Sequence, residues 1–369
     1  MFRQDTDGIR AGQGQKGNPM ATLFSFGDSI TAGAQSTSAT NRYTNLLASA
    51  LGVTLDNSGV STAMVMDQYS AMFSKLPLLG DIGTVAFGTN DQAKYDLDPA
   101  KRNYFSDGLT AYILWVACQP RIATSANGVT FTGAWSNSGL ALGCYASSVT
   151  GAKASFTANG PAIVLGMYRQ YGNASTFRVR IDGVDKGVFS TGGDIRTILG
   201  TAWGPMCLVF DGLSAGSHSV EIEVVTGGSA ANIVYFHWFC SLSTARNRVA
   251  VGNIPKAVAY TYGGSAANVD AYNADIAALV ARLAASGADV RLADVCSALS
   301  TADMFDNVHP NDAGHAKMAN VFKAVLQQTQ TTTPPANTMT YTPASVHSGS
   351  DGNFYAKAAG GGYKKLNVS

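Results

Sequence analysis

The chain has 369 residues, of which 46% are hydrophobic and only 13% charged, and its formal net charge is +1. This is the composition of a folded chain with a sizeable core; it excludes extensive disorder and gives no electrostatic reason to bind nucleic acid or an anionic membrane. The five cysteines, Cys118, Cys144, Cys207, Cys240 and Cys296, are scattered and without CxxC spacing, which excludes a disulfide framework and a zinc site.

Residues 1–20 are polar and Gly-rich and lack an apolar h-region, so they read as a flexible leader and not as a Sec signal peptide. No run of about 18 apolar residues exists, which predicts no transmembrane helix. ATLFSF (21–26) predicts a buried strand ending at Gly27. Tyr43, Leu46, Leu47, Ala50 and Leu51 then share one face of a helix over 41–51, closed by Gly52. VTLDN (53–57) and GTVAFG (83–88) predict two further strands. Strands alternating with helices predict a parallel sheet covered by helices.

Near residue 128 the period changes. In FRVRID (177–182), Phe177, Val179 and Ile181 share a face; in HSVEIEVV (218–225), Val220, Ile222 and Val224 do. Period-2 runs between Gly-rich turns predict an antiparallel β-sandwich. After 245 the α/β pattern returns: strands at 248–253 and 290–295, a helical stripe from Val269 to Leu283, and a last helix over 312–328. The expected organisation is a leader (1–20), an α/β domain in two parts (21–127 and 244–328), an inserted sandwich (128–243), and a Thr/Pro/Gly/Ser-rich linker and tail (329–369). The tail is read as a segment for particle attachment or homo-oligomerisation. Localisation is left open between a virion-associated protein, one released without a Sec signal, and a cytoplasmic one.

Four segments carry chemistry. Gly27-Asp28-Ser29-Ile30-Thr31 follows the first strand, so Ser29 stands at the strand's carboxyl end, where open α/β sheets bind ligands. Asp306-Asn307-Val308-His309-Pro310 places a carboxylate and an imidazole within one turn of chain. There the carboxylate can fix the tautomer while the other ring nitrogen takes the serine proton. Asn57-Ser58-Gly59 and Gly88-Thr89-Asn90-Asp91 each follow a strand, and a glycine N–H and an Asn amide are suitable donors for a developing oxyanion.

Together GDSIT, NSGVS, GTND and DNVHP resemble, in order and in strand-to-loop context, the four motif blocks of the SGNH (GDSL-like) hydrolases. The resemblance covers about 23–127 and 244–328. It implies a flavodoxin-like three-layer fold, no cofactor, and ester hydrolysis through an acyl-enzyme. Ser29 would be the nucleophile and its N–H an oxyanion donor, with Gly59 N–H and the Asn90 side chain as the other two. His309 would be the base and Asp306 its orienting partner. The insertion departs from the usual single-helix crossover. It is similar to that of phage-tail and polysaccharide-modifying esterases, in which a jelly-roll-like insert abuts the active site. An O-acetylated polysaccharide is therefore the expected substrate, with another small ester as its alternative, and Trp135, Tyr168, Tyr171 and Trp203 are the expected glycan contacts, against packing roles for the same rings.

Two motifs are set aside. Gly212-Leu213-Ser214-Ala215-Gly216 is a literal GxSxG with His218 beside it, but it lies between two strands and reads as a hairpin turn. Gly12, Gly14 and Gly17 form a GxGxxG with no preceding strand. The histidines show no metal spacing, and no metal is expected. Two other functions stay open: a lipase or thioesterase using the same residues, and a glycan- or receptor-binding protein whose hydrolase fold is an inert scaffold. The complete set Ser29, Gly59, Asn90, Asp306 and His309 argues against the second.

Overall fold

The computed structural model describes residues 21–118, 120–139, 144–227, 232–242 and 247–328, with three short strands in the tail. The leader and the role expected of the tail lie outside the described residues. Strands β1 (Thr22–Gly27), β2 (Thr54–Gly59), β3 (Ile82–Ala86), β4 (Arg248–Gly252) and β5 (Val290–Ala293) form one parallel sheet in the order β5-β4-β3-β1-β2. Helices α1 (Tyr43–Leu51) and α4 (Asp312–Gln327) cover one face, and α2 (Pro99–Ala117) and α3 (Ala266–Ala285) the other. This is the three-layer α/β architecture that the alternating pattern predicts. The sheet is buried on both sides, so its strands read as apolar runs. In β1, Leu23 packs with Tyr43, Leu47 and Phe322, while Phe24 and Phe26 pack on the opposite side with Val85 and Tyr112.

Between β3 and β4 the chain builds an antiparallel sandwich of two sheets. Arg121–Ile122 already pairs with Trp238 and Phe239, so the sandwich begins before the expected residue 128. One sheet centres on Ile163–Tyr171, flanked by Trp203–Phe210 and Val234–Ser241. The other contains Lys153–Asn159, Thr176–Ile181, Val184–Ser190 and Ser217–Thr226.

The sandwich is not a detachable module. Along Ile163–Tyr171, Ile163, Leu165 and Met167 face the sandwich interior, whereas Val164 and Tyr168 join the core built on α2. Helix α2 is buried all round from Gly108 to Ala117, because the parallel sheet lies on one side and the sandwich on the other. Across this interface Trp115 meets Trp238 with ring centroids 5.6 Å apart. Asp107 and Arg169 form an ion pair at 2.5 Å, with the Arg169 guanidinium over the Tyr104 ring. Each large side chain removed from water there contributes about 1.5–3 kcal/mol. All five cysteines are free thiols, four of them buried. No described helix is long and apolar enough to cross a membrane, and the described residues include no cluster of three metal-ligating side chains.

Candidate active site

Every loop of the site leaves a carboxyl end of the parallel sheet. After β1 the chain turns into the short helix Ser29–Ala32, with the Asp28 carboxylate accepting from Ile30 N at 3.0 Å. Gly27 is required by close approach: a Cβ there would lie 2.0 Å from Thr31 Oγ1 and 2.4 Å from the Ala86 carbonyl. Ser29 is the first residue of that helix, where a backbone N–H has no intrahelical acceptor. Burial raises the Asp28 carboxyl to about 6, against the opposing bonds from Ile30 and Thr89.

The loop after β5 is closed by a bridge between Met304 and Pro310 and by Phe305 N donating to His309 O at 2.8 Å. It is tied to the loop after β4 by Val258 N, which donates to Asn307 O at 2.7 Å. Within it Asp306 Oδ1 accepts from Val308 N at 2.8 Å and His309 N at 2.7 Å. Asp306 Oδ2 lies 2.8 Å from His309 Nδ1 and 3.4 Å from Gln35 Nε2. Partial burial pushes the Asp306 carboxyl up, but the two backbone donors and the imidazole together hold it below the ordinary carboxylate value. His309 Nε2 lies 3.0 Å from Ser29 Oγ. Residues 280 positions apart in sequence are thus joined in one relay, Ser29 Oγ to His309 to Asp306. An ionised Asp306 accepts Nδ1–H and leaves Nε2 able to take the serine proton.

The two remaining expected donors differ. Asn90 follows β3 and gives one amide hydrogen to Ala63 O at 2.9 Å; an Asn amide carries two, so one remains. The Gly59 N–H donates to Asn57 Oδ1 at 2.9 Å within a local turn, so in this structure it already has an acceptor. Glycine is needed there for another reason: a Cβ would stand 2.3 Å from Ala32 N, against the helix that carries Ser29. Beneath Asn90, Asp91 is fully buried and accepts from Val65 N at 3.1 Å, and desolvation drives its carboxyl well above the ordinary value.

The four aromatic residues expected to contact a glycan do not form a platform. Tyr168 is fully buried, its ring 4.7 Å from that of Phe73, and it has no face to offer; this expectation is withdrawn. Trp135 and Trp203 are half-buried, against Phe131 and Tyr235 respectively. Tyr171 is 37% exposed, but the Arg196 guanidinium stacks on its ring at 4.3 Å. Phe305 and Tyr262, absent from the expected contacts, are 64% and 80% exposed on the loops after β5 and β4. Their signal was position alone: large rings in carboxyl-end loops with no periodic partner.

The GxSxG turn also differs from expectation. Its flanking strands lie in different sheets, so it is a crossing between the sheets and not a hairpin. His218 Nδ1 lies 2.6 Å from Asp182 Oδ2, and Nε2 lies 3.0 Å from the Ser214 carbonyl oxygen and 3.4 Å from Ser214 Oγ. Both ring nitrogens face acceptors, so the bond to Asp182 and the Ser214 carbonyl raise the imidazole above its ordinary value. His315 is fully buried, with its ring stacked 6.3 Å from that of Tyr43, and it has a packing role.

No protein-family model matches the chain, and no curated protein does. Among solved structures it is similar to a two-domain esterase active on acetylated mannans, co-crystallized with mannopentaose (10% identity, 59% of this chain and 89% of that chain, TM-score 0.36). It is also similar to a member of the lipolytic G-D-S-L family from Veillonella parvula (12% identity, 84% of this chain and 100% of that chain, TM-score 0.41). A third is a carbohydrate acetylesterase from Sinorhizobium meliloti (13% identity, 83% of this chain and 96% of that chain, TM-score 0.39). The resemblance to the SGNH hydrolases is carried by this chain's own four motif blocks and by the parallel-strand ends from which they emerge.

Proposed function

We propose that the chain is a serine esterase of the SGNH type that removes O-acetyl groups from a polysaccharide. The observation that carries the reaction class is the relay of Ser29 Oγ, His309 and Asp306 at 3.0 and 2.8 Å. In this reading Ser29 Oγ attacks the ester carbonyl carbon while His309 Nε2 takes its proton. The carbonyl oxygen becomes an oxyanion, met by the Ser29 N–H and the free hydrogen of the Asn90 amide. The tetrahedral adduct collapses as His309 returns the proton to the departing sugar oxygen. Water, deprotonated by the same nitrogen, then attacks the acyl-serine; acetate leaves and Ser29 Oγ recovers its proton.

A polysaccharide substrate is supported by the near-zero net charge, by the exposed rings of Phe305 and Tyr262 on carboxyl-end loops, and by the sandwich packed beside the hydrolase core. The test is acetate release from a panel of O-acetylated polysaccharides and from p-nitrophenyl esters of increasing chain length. Acetate release from at least one polymer, with turnover of the small esters falling as the acyl chain lengthens, is expected. A preference for long acyl chains with no release from any polymer would replace this reading with a lipase or thioesterase. Binding of a polymer without release of acetate would replace it with a binding protein.

A further inference from the structure

One carboxylate, that of Asp67, links the sandwich by hydrogen bonds to a turn beside the site. The turn Ala63–Gln68 touches both halves of the catalytic machinery. Ala63 O holds the Asn90 amide at 2.9 Å, and Gln68 Nε2 donates to Gly27 O at 2.6 Å, two residues before Ser29. The turn follows Thr62, a non-glycine residue at φ +64°, a conformation the surroundings must enforce. Asp67 closes the turn by accepting from Met64 N at 2.8 Å on Oδ2. Its other oxygen, Oδ1, accepts from Thr201 Oγ1 at 2.8 Å and from Thr197 Oγ1, both on the sandwich loop that precedes Trp203–Phe210. Thr201 N in turn donates to Thr197 Oγ1 at 3.2 Å, and Thr197 is only 6% exposed, so the loop is fixed where it meets Asp67. The fit is close: a Cβ on Gly204 would lie 2.3 Å from Met66 Sδ.

We propose that Asp67 is a positioning residue and that the sandwich acts in catalysis through it. With Thr197 and Thr201 on one oxygen and the turn on the other, Asp67 sets the position of Ala63 O and so of the Asn90 amide that meets the oxyanion. This rests on the esterase reading. It gives the insertion a role in turnover itself, separate from any part in binding a polymer. Displacing a donor by a fraction of an ångström costs turnover and not ground-state binding, because the oxyanion exists only after attack.

The test uses the full chain and p-nitrophenyl acetate, which has no polymer chain for the sandwich to hold. Thr197→Val with Thr201→Val removes both hydroxyls at nearly constant volume. Expected is a fall in kcat of about tenfold to a hundredfold with KM changed less than about threefold, and recovery in the double Thr→Ser variant. In an Asn90→Ala background the same pair of substitutions is expected to cost less than about twofold, since the group it positions is gone. Asp67→Asn takes the place of the Val pair in the same cycle should that pair fail to fold by circular dichroism. A folded variant with unchanged kcat, or an equal loss in the Asn90→Ala background, overturns the proposal. Wild type that does not cleave p-nitrophenyl acetate overturns the esterase reading instead, and activity that survives Ser29→Ala overturns Ser29 as its nucleophile.

Discussion

Among the described residues, two places bring a serine, a histidine and an aspartate together. At the carboxyl end of the parallel sheet, His309 Nε2 faces Ser29 Oγ at 3.0 Å. In the sandwich, His218 Nε2 faces the Ser214 carbonyl at 3.0 Å, with Ser214 Oγ farther off at 3.4 Å. In both, the other ring nitrogen bonds a carboxylate. What separates them is the atom in front of Nε2. A hydroxyl can give that nitrogen a proton; a carbonyl can only accept one, so it favours the imidazolium and disarms the base. The surroundings differ in the same sense. Ser29 begins a helix at the carboxyl end of a parallel strand, whereas Ser214 sits in a crossing between two sheets.

The sharpest way to break this comparison is to remove each histidine. His309→Ala is expected to lower kcat for p-nitrophenyl acetate by about 10⁵–10⁶, as triad members act as a unit, while His218→Ala leaves it unchanged. Loss of activity in His218→Ala would move the site to the sandwich. Next in size is Asp306→Asn, expected to cost about 10⁴ in kcat by favouring the wrong tautomer of His309; a loss below tenfold would mean that the loop alone orients the ring. Asn90→Ala is expected to keep the fold and lower kcat by about 10²–10³ through loss of one oxyanion donor. Near-normal turnover would take Asn90 out of the site.

The smallest effect distinguishes the histidines by pH. His218 is held above its ordinary value, so its proton binds the folded form more tightly. Its contribution to stability is complete below about pH 6.5 and is lost as pH rises through the higher folded value. Asp182 is held low by His218 and the Ser219 N–H, and its contribution fades as pH falls below about 3.9. The Tm difference between wild type and His218→Ala should therefore shrink as pH rises above about 6.5. A Tm difference independent of pH would mean that His218 binds its proton equally well in the folded and unfolded states.

Much of the site's position was legible in the sequence, because Ser29, Asn90, Asp306 and His309 each follow a predicted strand. What hydrogen-bonds to what was not. Nothing in NSG announces that the Asn57 side chain captures the Gly59 N–H. Tyr168 was named for its aromatic ring, which suits sugar stacking and core packing alike. Its strand is buried on both faces, the second by helix α2, which belongs to the other domain. The same helix held a readable sign of this burial: GLTAYILWVA, over 108–117, is apolar on every side and so needs partners on every side. The GxSxG turn was misread because two neighbouring strand patterns do not reveal whether they share a sheet.

The central claim is that Ser29, and not Ser214, carries the reaction. Acetate release by wild type, Ser29→Ala and Ser214→Ala, measured side by side on p-nitrophenyl acetate and on an O-acetylated polysaccharide, tests it most directly. The account predicts release by wild type and Ser214→Ala on both substrates and none above background by Ser29→Ala. Release by Ser29→Ala at the wild-type rate would contradict it.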